Sequence, residues 1–69
     1  MGVLKINGAE KEFPVGIPQT LAELLEQLDI NQATVAAEID GKIIKRENFA
    51  QTQLSGGQSI ELVRFVGGG

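Results

Sequence analysis

Apolar and polar positions alternate from Val3 to Asn7, with Leu4 and Ile6 on one face and Val3, Lys5 and Asn7 on the other. A period of two residues is that of a half-buried strand. Asn7-Gly8 then supplies two residues that tolerate positive φ, a strong signal for a tight hairpin. The returning strand is read from Lys11 to Gly16, with Phe13 and Val15 sharing a face. Pro14 lies inside that run and has no amide proton for a ladder, which predicts a strand at the edge of its sheet.

Gly16-Ile17-Pro18-Gln19 breaks the alternation, and the period then changes. Thr20 followed three residues later by Glu23 has the spacing of a capping box, which satisfies orphan amides at a helix start. Leu21, Leu24, Leu25 and Leu28 fall at i, i+3, i+4 and i+7, so a helix over 21–28 carries one apolar stripe. In a chain this short the stripe is core, and Glu23, Glu26 and Gln27 are a solvated face. Asp29 to Gln32 connects to a strand from Thr34 to Ile39, with Val35, Ala37 and Ile39 on one side. Asp40-Gly41 is a second hairpin signal, leading into the short run Lys42 to Lys45. Arg46 to Gln53 has no clear period and reads as a turn or short helix pinned by Phe49, with Leu54 also anchored. Ser55-Gly56-Gly57 is a turn; no strand-to-helix frame or suitably spaced lysine makes it a phosphate cradle. The last and longest strand runs from Ser59 to Val66. If Ile60 and Leu62 face the helix, Val63 and Phe65 face outward, beside Val3 of the first strand, as a partner surface.

The order strand, strand, helix, strand, short strand, turn, long strand predicts an α+β fold. One helix packs across one face of a mixed sheet of four to five strands. The first and last strands are expected to be parallel central neighbours.

Composition narrows the function. Sixty-nine residues make one domain without room for a deep cleft of its own, and a 42% hydrophobic content suits a globular fold. With neither cysteine nor histidine, thiolate chemistry, Cys-based zinc sites and the usual general base are absent, so an enzyme is not expected. The net charge is −3 and the basic residues are scattered, which argues against nucleic acid and for a basic partner surface. No apolar run reaches the ~20 residues of a membrane span and no signal-peptide core is apparent, so a cytoplasmic protein is expected. Ile6 stands where Ser or Thr favours myristoylation of Gly2.

The chain closes on Val66-Gly67-Gly68-Gly69. Glycines cost entropy to order and contribute no packing, but they carry a carboxylate through a slot too narrow for a Cβ. Three extended residues reach roughly 10 Å. Residues 1–66 are therefore expected to form the domain and 67–69 a flexible tail.

Several stretches together carry a family resemblance. They are Ile6-Asn7-Gly8, Thr20-Leu21-Ala22-Glu23-Leu24-Leu25, Asp40-Gly41-Lys42-Ile43-Ile44 with Arg46, and the closing run from Ile60 through Arg64-Phe65-Val66 to Gly69. Over nearly its whole length the chain resembles the ThiS family of ubiquitin-like sulfur carriers in thiamine thiazole synthesis. Gln58 departs from an acidic residue often found there, at a turn position. The resemblance implies a β-grasp fold and a carrier rather than an enzyme. It further implies that a ThiF-like adenylyltransferase uses ATP to adenylate the Gly69 carboxylate, that a persulfide donor converts it to a thiocarboxylate, and that a ThiG-like thiazole synthase receives the sulfur. No cofactor would be bound, and the free carrier would be a monomer. Gly69 bears the reactive group, Gly68 completes the essential pair and Gly67 is spacer. Val63, Phe65 and Val66 are the expected docking residues, with Arg64 a lesser one. The alternatives are a MoaD-like carrier for molybdopterin synthesis, whose usual Pro-Pro-Val-Ser-Gly-Gly type of ending is missing here, a ubiquitin-like modifier, and a binding domain with an idle tail.

Overall fold

The computed structural model describes residues 2–64. The chain runs β1 (Gly2–Ile6), β2 (Ala9–Phe13), α1 (Leu21–Gln27), a 3₁₀ turn (Gln32–Thr34), β3 (Val35–Ile39), β4 (Lys42–Ile44), a second 3₁₀ segment (Arg46–Gln51) and β5 (Ser59–Arg64). The strands form one mixed sheet in the order β2-β1-β5-β3-β4. β5 lies at the centre, parallel to β1 as the order of elements predicts, and antiparallel to β3 on its other side.

Both hairpin signals form tight turns with left-handed residues: Asn7 and Gly8 have φ of 52° and 83°, and Asp40 and Gly41 have 50° and 87°. Positive φ at both central positions gives the turn whose twist matches that of the flanking strands. The first residue of each turn also reaches across to β5. Asn7 donates its backbone N–H to the Ile60 carbonyl (2.8 Å), while its Oδ1 accepts from the Leu62 amide (2.7 Å). Asp40 donates its backbone N–H to the Ser59 carbonyl (2.8 Å), and its Oδ1 accepts from the Ser59 amide (3.0 Å). Where each hairpin turns away from the central strand, a short side chain thus replaces the backbone carbonyl that the ladder would otherwise lose.

The second strand differs from its sequence reading. It spans Ala9–Phe13 rather than Lys11 to Gly16, and Pro14 lies just past its end. Phe13 is buried but Val15 is fully exposed, because the chain turns after Phe13, whose carbonyl accepts from the Gly16 amide. The edge position of β2 is as expected.

Helix α1 begins as its capping signal predicts, with one change of partner. Thr20 Oγ1 accepts from the Glu23 amide (3.2 Å), but the Glu23 carboxylate takes the amide of Gln19, not that of Thr20 (3.2 Å). The first helical amide, Leu21, donates to the Thr52 carbonyl (2.9 Å), so an orphan donor is satisfied from the segment behind Phe49. At the other end Asp29, at φ 60°, donates to the Glu26 carbonyl, and Ile30 donates to Leu25. This is a Schellman termination with Asp in the left-handed position that glycine usually fills. Ile30, just beyond it, packs against the core.

Leu21, Leu24 and Leu25 are buried against Leu4, Ile60, Leu62, Val35, Ala37 and Ile39 of the sheet, while Leu28 is half-buried at the margin. Phe49 plugs the side of this core from the second 3₁₀ segment with 1% of its surface exposed, and Leu54 follows it inward. No buried side-chain polar atom among the described residues lacks a hydrogen-bond partner.

Two substitutions check this account. Phe49→Ala should cost about 3–5 kcal/mol, a large part of what a domain this size possesses, seen as a steep loss of denaturation midpoint. Asn7→Ala should cost about 1–3 kcal/mol, since it strands the Leu62 amide and replaces a residue that tolerates the left-handed backbone with one that tolerates it less. Asn7→Gly should recover only the backbone part of that loss, and Asn7→Asp, which keeps the acceptor, should melt near the parent.

Candidate docking face and carrier terminus

The helix covers one face of the sheet and leaves the other open. Strand parity decides which side chains lie there: Ile60 and Leu62 of β5 point into the core, so Glu61 and Val63 point outward. The β3–β5 register sets Val63 opposite Ala36, and Glu61 opposite Glu38. On the far side of β3, Glu38 pairs with Ile43. The open face therefore carries a row Glu61–Glu38–Ile43 beside a row Val63–Ala36. Val63 is 59% exposed and Ile43 75%. Two carboxylates directly opposite each other are mildly unfavourable in the free protein, and together with Glu10 and Glu12 of β2 they make this face acidic, with Lys5 of β1 as its cation among the described strand residues.

The expected docking residues are thus partly placed. Val63 does lie outward, but it is not beside Val3. β1 and β5 pair only at Lys5–Ser59 and Ile6–Ile60, so Val3 lies at the far end, where its carbonyl accepts from the Gly57 amide. The parallel offset between the strands separates the two valines. Arg64 is exposed, opposite Val35 at the end of β5. Phe65, Val66, Gly67, Gly68 and Gly69 lie outside the described residues, as does the expected boundary between domain and tail.

Sequence reasoning missed Ile43. In Lys-Ile-Ile-Lys either isoleucine could face out, and only the pairing of Ala37 with Ile44 turns Ile43 to solvent. A depression of about 460 Å³ between β4 and the second 3₁₀ segment is walled by Lys45, Glu47, Asn48, Gln51 and Thr52, whose hydroxyl donates to the Asn48 carbonyl at 2.7 Å. Among the described residues no group of three metal-ligating side chains exists, and no helix is long and apolar enough to cross a membrane.

A five-stranded mixed sheet with parallel first and last strands at its middle, one helix across a single face, and a central strand leading toward the terminal glycines defines a β-grasp, ubiquitin-like protein. A model of the ThiS family matches residues 3–69, and the chain belongs to that family. It is 45% identical over 51 residues to the sulfur carrier protein ThiS of Escherichia coli, covering 74% of this chain and 77% of that one. It is 35% identical over 66 residues to a thiazole synthase of Paramagnetospirillum magneticum, 96% of this chain but 20% of that protein's length. The crystal structure of thiamine biosynthesis protein ThiS from Geobacter metallireducens superposes with a TM-score of 0.82 at 32% identity, over 97% of this chain and 99% of that one.

The outward placement of Val63 is checked by paired substitutions. Val63→Asp should shift the thermal midpoint by less than about 4 °C, the effect of roughly 0.5 kcal/mol in a domain this small. Leu62→Asp, one residue away, buries an unpaired carboxylate and should abolish cooperative folding.

Proposed function

We propose that the chain acts as a sulfur carrier of thiamine biosynthesis and that its reactive group is the carboxylate of Gly69. The observation that carries this reading is the family match running through residue 69, with the sequence Phe65-Val66-Gly67-Gly68-Gly69 coming after Arg64 of the central strand. A bare carboxylate resists nucleophiles. In the proposed cycle a ThiF-like adenylyltransferase joins it to the α-phosphorus of ATP with loss of pyrophosphate, and AMP then serves as leaving group. The terminal sulfur of a persulfide donor attacks the acyl-adenylate and AMP departs, giving an acyl disulfide. A second thiol of the partner machinery then cleaves its S–S bond, a disulfide leaves, and Gly69 is left as a thiocarboxylate for delivery to a thiazole synthase.

The chain itself supplies presentation. Gly68 and Gly69 have no side chain to obstruct a narrow channel, and their main-chain groups can be held by hydrogen bonds. Gly67 is the spacer. Docking falls to Val63 and Arg64 on β5 together with Phe65 and Val66. The match of almost the whole chain to part of a protein named thiazole synthase supports that enzyme as the acceptor. ATP is consumed by the activating partner and no cofactor is held by the carrier. The chain lacks cysteine, so no internal thiol would compete for the activated acyl group.

Intact-mass analysis after incubation with a cognate adenylyltransferase, ATP and a persulfide donor is the direct test. One oxygen should be replaced by sulfur, and fragmentation should place the change on Gly69. Removal of Gly69 should abolish the product without altering the melting curve. Absence of the product with any cognate enzyme would overturn the carrier reading, and lysine-linked adducts would favour a modifier. Val63→Asp should slow activation about tenfold or more at unchanged stability, the usual loss for an apolar contact at the centre of an interface.

A further inference from the structure

We propose that Asn7-Gly8 is a self-modification site, a deamidation centre protected by the attachment of the first hairpin to β5. Chemically the step needs only water. The Gly8 backbone nitrogen gives up its proton and bonds to Asn7 Cγ, the Cγ–Nδ2 bond breaks, and ammonia departs with that proton. The resulting succinimide adds water at either carbonyl. Opening at Cγ yields aspartate, and opening at the main-chain carbon yields isoaspartate, with the chain then running through Cγ.

Three features of the fold place the site here. Gly8 carries no side chain to hinder attack by its own nitrogen, and the space where a Cβ would stand is open, with nothing within 4 Å. Asn7 and Gly8 are both exposed, so water has access. The other two asparagines, Asn31 and Asn48, precede the bulkier Gln32 and Phe49.

The folded geometry holds the reaction back. Oδ1 of Asn7 is engaged by the Leu62 amide at 2.7 Å, and the Asn7 backbone N–H by the Ile60 carbonyl at 2.8 Å. These bonds tie the side-chain amide to β5 and restrict its rotation onto the next peptide nitrogen. Ring closure therefore requires the hairpin corner to detach first, a local opening rather than global unfolding.

The two products differ in consequence, and the other hairpin shows why. At the matching corner Asp40, also left-handed, already holds β5 through a carboxylate oxygen. Aspartate at position 7 can serve the Leu62 amide in the same way. Isoaspartate cannot: an added main-chain carbon shifts the corner, and its free carboxylate is attached at a different atom. One product is structurally silent and the other loosens β1 and β2 from the strand that leads to the terminal glycines. Both add a negative charge to the formal −3.

The test is to incubate the intact chain in mildly alkaline buffer, native and fully denatured, and to follow deamidation by fragmentation that separates aspartate from isoaspartate. A gain of about 1 Da should appear at residue 7 before residues 31 or 48, and the native chain should react about tenfold or more slowly than the denatured one. Denaturant below the unfolding midpoint should accelerate it. The purified isoaspartate form should melt below the parent, while Asn7→Asp melts with it. Equal native and denatured rates, reaction spread evenly over the three asparagines, no reaction in the denatured chain, or an Asn7→Asp protein as unstable as Asn7→Ala would each overturn the proposal.

Discussion

The structure depends on holding β5 in the middle of the sheet. This strand must pair with β1 on one side and β3 on the other, yet both neighbours leave it at hairpin corners. Asn7 and Asp40 close those gaps with side-chain oxygens on β5 amides, and each adds a backbone donor to a β5 carbonyl. Both work from a left-handed backbone, a conformation that short polar side chains tolerate better than most. A parallel pair needs a long crossover, and here it contains β2, α1, β3 and β4. The ladders of β5 with β1 and β3 join the two hairpins into one sheet, and the corner contacts extend each ladder where its hairpin turns away.

Once β5 is central, burial follows. The leucine stripe of α1 lies over the buried side chains of β1, β5 and β3, and Phe49 closes the open flank. The amide of Leu21 bonds to Thr52 and the amide of Leu54 to Gln19, so the start of the helix is stitched to the segment that carries Phe49. Polar satisfaction and apolar packing reinforce each other here. A small core gains from such agreement because its total stability is modest.

The same geometry sets the face that borders the end of β5. The central strand ends, among the described residues, at Arg64, and the uncovered face beside it sets Val63 and Ile43 among carboxylates. Apolar contacts surrounded by like charge suit a partner that brings cations to the rim and apolar groups to the middle. The chemistry proposed for Gly69 needs no catalytic group from the carrier, only delivery.

Much was determined by local pattern alone. The leucine spacing, the Thr20–Glu23 cap, the two turns with positive φ and the alternation in β1, β3 and β5 are short-range signals, and each corresponds to an observed element. The glycine ending and the absence of cysteine and histidine are likewise readable without a fold. What tertiary structure decided were the choices that depend on a partner strand. Val15 is exposed because the chain leaves β2 after Phe13, and Val63 is remote from Val3 because parallel pairing is confined to one end of β1. Ile43 faces out only because Ile44 is matched to Ala37, and the turn residues Asn7 and Asp40 gained a second role as anchors for β5. Local sequence specifies conformation within a few residues, whereas register and side-chain bonds between distant segments exist only once those segments have met.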